Sequence, residues 1–101
     1  MARIRVERTL TFGTPYTPEM EAGRKRPAPS WREIPRQVRE AGELGYDTVM
    51  AVETQHDPFL ALAIAAQEPS ELELATGIAL AYTKSPVATA YIAWDLQAMS
   101  G

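Results

Sequence analysis

Hydrophobic positions along the chain follow two different periods, and their order predicts strands and helices in turn. Ile4–Phe12 alternates apolar and polar residues, which favours a first strand. Thr48–Val52 is an uninterrupted run, typical of a parallel strand that is covered on both faces. Glu71–Ala81 reads as a third strand, with Gly77 inside it as the mark of a bulge or a close backbone approach. With helical spacing between these segments, the order β-α-β-α-β-α predicts a parallel sheet with right-handed crossovers.

The first helix is bounded by recognisable start and stop residues. Ser30 and Glu33 match a capping box at its beginning. One helix face is then apolar, with Ile34, Val38, Ala41 and Leu44. Pro35 lies too deep for the first turn if Ser30 is the cap, so the helix either bends there or begins at Pro35. Gly45 ends it, because glycine accepts the left-handed conformation at low cost.

Two further helices open with the same pair of residue types. Asp57-Pro58 and Ser85-Pro86 each combine a capping side chain with a proline that fixes φ in the first turn. They predict helices over residues 58–67 and 86–99. Three aromatic residues at helical spacing are predicted to pack in the core or between helices: Phe59, Tyr91 and Trp94.

Residues 13–30 are predicted to form a long loop, because glycine and proline recur throughout them. The breakers are Gly13, Pro15, Pro18, Gly23, Pro27 and Pro29. A loop of this length is either functional or a disordered insertion. It also holds the basic run Arg24-Lys25-Arg26, which is too short to indicate more than a solvated loop.

Composition excludes several classes of function. With 101 residues, 46% of them hydrophobic, the chain is expected to be globular and at most one domain. A net charge of -3 argues against nucleic acid as the main partner. The absence of cysteine excludes disulfides, thiol catalysis and thiolate metal sites. Because no segment resembles a signal peptide or the ~20 apolar residues of a membrane span, we expect a cytoplasmic protein without membrane contacts.

The most informative stretch is the polar loop between the second strand and the second helix. Its sequence is Glu53-Thr54-Gln55-His56-Asp57. The loop follows the carboxyl end of a predicted parallel strand, which is where ligands bind in parallel α/β folds. Residue type alone favours a structural role for His56, the only histidine. Glu53 and His56 have the spacing of a carboxylate metal site, but such sites need a second copy from another helix, so no metal is expected. Asp57 is sufficiently explained as a helix cap.

Four segments carry a resemblance to a known family. They are residues 41–47, residues 53–60, residues 74–81 followed by Ser85-Pro86, and residues 93–101. With these in order and at matching spacing, residues 31–101 resemble the luciferase-like monooxygenase family. Within it, the closest likeness is to oxidoreductases that use a deazaflavin coenzyme.

The resemblance implies a fold and indicates how much of that fold the chain would cover. Residues 1–101 would be a single partial domain, the first three βα units of a (β/α)8 TIM barrel of the bacterial luciferase type, with parallel strands and an incomplete barrel. A complete barrel takes roughly 200–250 residues. More than half of it would lie outside the chain, including the late βα loops that hold the cofactor phosphate.

The resemblance also implies a site. His56 would be catalytic, bonding the coenzyme ring or moving a proton, as a histidine can near neutral pH. The cofactor-binding residues would be Glu53, Thr76, Gly77 and Ile78. At Gly77-Ile78 the family carries a strand bulge, with a non-proline cis peptide, that backs the middle ring. The expected coenzyme is the deazaflavin F420, and FMN stays open as the alternative.

The functions left open belong to different classes. The first is two-electron oxidation or reduction of a small organic substrate, with activity of the 101-residue chain alone left open. The second is an inactive fragment that associates with itself, as a homo-oligomer, or with a complementary barrel fragment. A flavodoxin-like binding module is disfavoured, because no glycine-rich phosphate loop follows the first strand.

Overall fold

The structure, a computed structural model, describes residues 3–12 and 31–101. The predicted loop over residues 13–30, with its basic run and the Ser30 cap, lies outside the described residues. The elements are β1 (Glu7–Thr9), a 3-10 turn (Trp31–Glu33), α1 (Ile34–Glu43), β2 (Thr48–Val52), α2 (Pro58–Ala65), β3 (Glu73–Ile78) and α3 (Pro86–Ser100).

The described strands form one parallel sheet in the order β1-β2-β3. In its register Glu7 lies opposite Thr48, and Thr48 lies opposite Glu73. The predicted alternation of parallel strands and helices is therefore confirmed. The sheet is open, in agreement with the first units of a barrel, while the closed barrel itself stays a prediction.

Strands β1 and β3 are shorter than predicted. Strand β1 has three residues, not the nine of Ile4–Phe12, and β3 has six. Both pair with β2, which offers only five residues. Hydrogen bonds extend the pairing beyond β1 at each end, among them those from the N–H of Leu10 to the Met50 carbonyl (2.8 Å) and from the N–H of Asp47 to the Val6 carbonyl (2.9 Å). The central strand thus limits the length of its neighbours.

Helix α1 begins and ends close to the predicted residues. It starts at Ile34, so Pro35 lies in the first turn, where its missing N–H costs nothing. This agrees with the alternative in which the helix begins at Pro35. Gly45 follows with φ of 79°, which confirms it as the stop. Leu44 was predicted to share the buried face but is 70% exposed, because it is already the C-cap residue.

The hydrophobic core lies between one face of the sheet and helices α1 and α2. Its buried members are Leu10, Ile34, Val38, Ala41, Val49, Ala51, Ala61, Leu62 and Ala65. These residues include the predicted apolar face of α1 up to Ala41, together with Val49 and Ala51 of β2. The core fixes α1 and α2 on the sheet and leaves the loops at the carboxyl ends of the strands exposed.

Helix α3 lies outside this core. All of its residues are described and none is buried. Tyr91 is 70% exposed and Trp94 is 78% exposed, so the prediction that they pack in the core or between helices is wrong for this chain. The side chain that does pack against the core is Leu96. The aromatic side of the helix faces away from every element that the structure describes.

Candidate functional site

The ends of β2 and β3 are joined by Glu53, the first residue after β2. Its backbone N–H donates to the carbonyl of Ile78 (2.9 Å), and its carboxylate Oε2 accepts from the N–H of Leu80 (2.7 Å). The two bonds join the β2–α2 loop to the last residue of β3 and to the segment that follows this strand. Glu53 therefore fixes the backbone at the point where the resemblance places the coenzyme ring.

A bulge interrupts the pairing of β2 and β3 at Gly77. Ala51 lies opposite Thr76, but the next residue, Val52, lies opposite Ile78, which leaves Gly77 as the extra residue. A Cβ on Gly77 would lie 2.9 Å from both Met50 Sδ and Val52 Cγ1, so only glycine fits without displacement. The bulge expected here is present.

The bulge has ordinary peptide bonds and an exposed surface. Every peptide bond in residues 3–12 and 31–101 is trans, so the cis peptide that the resemblance implies at Gly77-Ile78 is not found. Ile78 is 50% exposed, and Gly77 is exposed as well. Met50 and Val52 flank the glycine and are half-buried. Together these residues form a partly exposed surface whose side chains are apolar.

Thr76 lies on the opposite face of β3. Successive residues of a strand point to opposite sides, and Thr76 lines a groove of about 630 Å³ between β3, α2 and α3. Phe59 and Leu96 line the same groove. The structure thus brings Glu53, Gly77 and Ile78 together but does not bring the Thr76 side chain to them.

His56 is held by two aromatic rings from the β1 side of the sheet. The centroid of its half-buried imidazole lies 5.7 Å from that of Trp31, with the ring planes at 75°, and 6.5 Å from that of Phe12. Phe12 and Trp31 also contact each other, with centroids 5.1 Å apart. Neither ring could be recognised from the sequence as a partner of His56, because both lie far from it along the chain.

The aromatic contact depends on a buried amide. Gln37 is 5% exposed, and its side chain binds Thr11 in both directions. Its Nε2 donates to the Thr11 carbonyl (2.8 Å), and its Oε1 accepts from the Thr11 N–H (2.9 Å) and hydroxyl (3.2 Å). Gln37 therefore fixes the residue before Phe12. Its position three residues after Ile34, on the buried face of α1, was the available signal for it.

A second cross-link joins the β2–α2 loop to the segment before α3. Asp57 accepts from the N–H of Phe59 (2.8 Å), which confirms it as the cap of α2. Lys84 Nζ lies 2.6 Å from the other oxygen of Asp57 and 5.4 Å from the centroid of the Phe59 ring. Lys84 could not be recognised from the sequence, because nothing in its local pattern indicates a partner that lies 27 residues away.

Both groups of this ion pair stay charged at neutral pH. Partial burial of Asp57 acts to raise its pKa, but the hydrogen bonds from Lys84 and from the Phe59 N–H outweigh it, and the pKa of Asp57 is lowered. The hydrogen bond to Asp57 raises the pKa of the Lys84 ammonium. The attraction between the two groups is therefore available throughout the physiological range.

The described part of the chain offers neither a metal site nor a membrane-spanning helix. Residues 3–12 and 31–101 contain no group of three or more His, Asp or Glu side chains placed to hold a metal ion. In the same residues no helix has the length and apolar character needed to cross a membrane.

Comparison with known proteins identifies relatives. The family model described as luciferase-like monooxygenase matches residues 10–101. Three curated relatives are each 40% identical to the chain over 74 residues: Uncharacterized protein Rv1360 and Uncharacterized protein MT1405 of Mycobacterium tuberculosis, and Uncharacterized protein Mb1395 of Mycobacterium bovis. The match covers 66% of this chain but spans only 22% of the length of these relatives. No solved structure shows a significant match.

Proposed function

Since the chain belongs to the luciferase-like monooxygenase family, we propose that it supplies part of an oxidoreductase active site. The site binds the ring of a deazaflavin coenzyme, F420, at the carboxyl ends of β2 and β3, with FMN as the alternative. When bound, this ring exchanges two electrons with a small organic substrate. Binding, orientation and proton handling are the tasks of the protein.

The observation that carries the proposal is the exposed bulge at Gly77. Gly77 has no side chain that would hinder the approach of a planar tricyclic ring, and the exposed Ile78 offers an apolar contact beside it. Met50 and Val52 extend the apolar surface beside it. The two bonds of Glu53 to the Ile78 carbonyl and the Leu80 N–H hold the bulge in place. A surface fixed in advance loses little entropy when the ring binds.

In this proposal His56 is the catalytic residue. Its imidazole donates a hydrogen bond to the ring or takes a proton from the substrate, since both nitrogens of an imidazole can exchange protons. Packing against Trp31 and Phe12 restricts the orientation of the imidazole before any ligand arrives. Thr76 contributes through its backbone, because its side chain lines the groove on the other face.

Binding of the coenzyme can be tested directly on the 101-residue chain. We expect saturable changes in coenzyme fluorescence on titration with F420 or with FMN, and about tenfold weaker binding for His56→Ala, the effect of losing roughly 1.4 kcal/mol. Gln55→Ala is the matched control, because Gln55 is the exposed neighbour of His56 in the same loop. A folded chain that binds neither coenzyme contradicts the proposal, as does equal binding by the two variants.

One observation favours a second function, association through α3. Val87, Tyr91 and Trp94 lie exposed on this helix, and large exposed apolar patches mark interaction surfaces. The single charge on α3 is Asp95, so two copies can approach with little repulsion. We propose that a second copy of the chain covers this surface. A complementary part of the barrel is the alternative partner.

Molar mass in solution tests this association. We expect a mass above the 11.1 kDa of one chain, falling to that of a monomer in the double variant Tyr91→Ser with Trp94→Ser, because the apolar contact is lost. Ile4→Ser is the control, since Ile4 is also an exposed apolar residue but lies before β1 at the other edge of the sheet. A monomeric parent chain, or unchanged mass in the double variant, contradicts self-association.

A further inference from the structure

The carboxyl-terminal end of the β2–α2 loop, which carries His56, is anchored by the ion pair between Asp57 and Lys84. Neither group of this pair has a catalytic role in the proposed function. We propose that Lys84 is a positioning residue whose ion pair with Asp57 sets the orientation of the His56 imidazole. We name the three groups Lys84 Nζ, the Asp57 carboxylate and the Phe59 ring the latch. The inference deepens the proposed function, and its consequence for catalysis rests on that function.

The ammonium group of Lys84 is held by two contacts from the start of α2. It lies 2.6 Å from Asp57 Oδ2 and 5.4 Å from the centroid of the Phe59 ring. The side chain of Lys84 is only 20% exposed. A lysine in this setting has lost much of its rotational freedom, unlike a lysine on an open surface.

Both sides of the latch are attached to ordered backbone. The second oxygen of Asp57 accepts from the Phe59 N–H (2.8 Å), so the carboxylate is fixed to the first turn of α2. Lys84 directly precedes Ser85, whose hydroxyl accepts from the Ala88 N–H (3.1 Å) and caps α3. The latch therefore joins the first turns of α2 and α3 and restricts their movement relative to each other.

The latch completes the fixation of the His56 loop. Glu53 anchors the first end of the loop through Ile78 and Leu80, and Asp57 anchors the second end through Lys84. Both anchors reach the same segment, residues 78–84. His56 lies directly before the second anchor, so movement of Asp57 is transmitted to the imidazole and to its packing against Trp31.

A merely structural ion pair would behave differently, and the chain contains one for comparison. Arg39 of α1 binds Glu68 beyond α2 (2.8 Å), away from the His56 loop. Ion pairs of this kind contribute little to stability. Loss of either pair should therefore change the unfolding midpoint slightly, but only loss of the latch should displace His56.

The single histidine allows a test without any ligand. In proton NMR spectra of the full chain, we expect Lys84→Met to move the His56 imidazole signals toward those of an unstructured peptide and to remove their nuclear Overhauser contact with Trp31. Arg39→Met should leave both unchanged, and Lys84→Arg should restore them by keeping the charge. Asp57→Asn, which keeps a cap acceptor but removes the charge, should reproduce the effect of Lys84→Met.

The inference is overturned if Lys84→Met and Asp57→Asn leave the His56 signals in place, or if Arg39→Met displaces them equally. Titration with F420 and FMN then separates this inference from the proposed function. If the parent chain binds a coenzyme, Lys84→Met should bind it several-fold more weakly. If the parent chain binds neither, the proposed function fails, while the NMR result still decides whether the latch positions His56.

Discussion

Replacing Gly77 with valine is expected to lower the free energy of unfolding by about 3 kcal/mol, the upper part of the usual range for overpacking. The reason is space. A Cβ at this position would lie 2.9 Å from Met50 Sδ and from Val52 Cγ1. The methionine sulfur is near the end of a flexible side chain and can move, but the valine methyl is fixed close to the backbone.

Urea unfolding followed by circular dichroism measures this effect. Gly42→Ala is the matched control, because the nearest atom to its new Cβ is Leu72 Cδ1 at 4.0 Å and the glycine lies within α1. We expect it to stabilise the chain by about 0.5 kcal/mol. Combining Gly77→Ala with Val52→Ala should lower the free energy of unfolding by less than the sum of the two single effects, because Val52→Ala removes one of the methyl groups that the new Cβ would meet. A Gly77→Val chain as stable as the parent would contradict the described bulge.

Replacing Gln37 with leucine is expected to lower the free energy of unfolding by about 2 kcal/mol. This value lies within the range for polar groups that lose their hydrogen-bond partners. Leucine fills a similar volume but gives the Thr11 N–H no acceptor and the Thr11 carbonyl no donor. The end of β1 should then loosen, and Phe12 should lose its fixed position against Trp31 and His56.

Unfolding and amide hydrogen exchange together identify this loss. The Thr11 amide should exchange much faster in Gln37→Leu, while the amides of β2 keep their protection. Gln67→Leu is the control, because Gln67 is exposed after α2, and we expect a change within about 0.5 kcal/mol. Unchanged exchange at Thr11 in Gln37→Leu would show that the amide does not hold the strand.

The fold could be predicted where the cause lies within a few neighbouring residues. Gly45 ends α1 through its own backbone freedom, and Asp57 caps α2 through the N–H of Phe59, two residues away. The exposure of Tyr91 and Trp94 could not be predicted in this way. Periodicity shows that a helix face is apolar, but which element covers it depends on the rest of the fold.

The candidate site shows the same division. Position in a polar loop, together with the family resemblance, indicated Glu53 and His56, and a glycine inside a strand indicated Gly77. Their partners were missed, because Leu80, Lys84 and Trp31 come close only after the strands have paired. The face of the sheet to which Thr76 belongs likewise depends on the register between β2 and β3. The hydrophobic pattern of β3 alone does not determine this register.

The most direct test of the proposed coenzyme site is an NMR map of where the coenzyme contacts the chain. Uniformly 15N-labelled protein is titrated with F420 and, separately, with FMN, and the amide signals are followed. We expect the largest shifts at Gly77, Ile78 and Glu53 and smaller shifts around His56. We expect none at Gly45, which precedes β2 and so lies at the amino-terminal end of the strands, opposite the proposed site. No shifts with either coenzyme, or the largest shifts around Gly45, would contradict binding of the ring at the bulge.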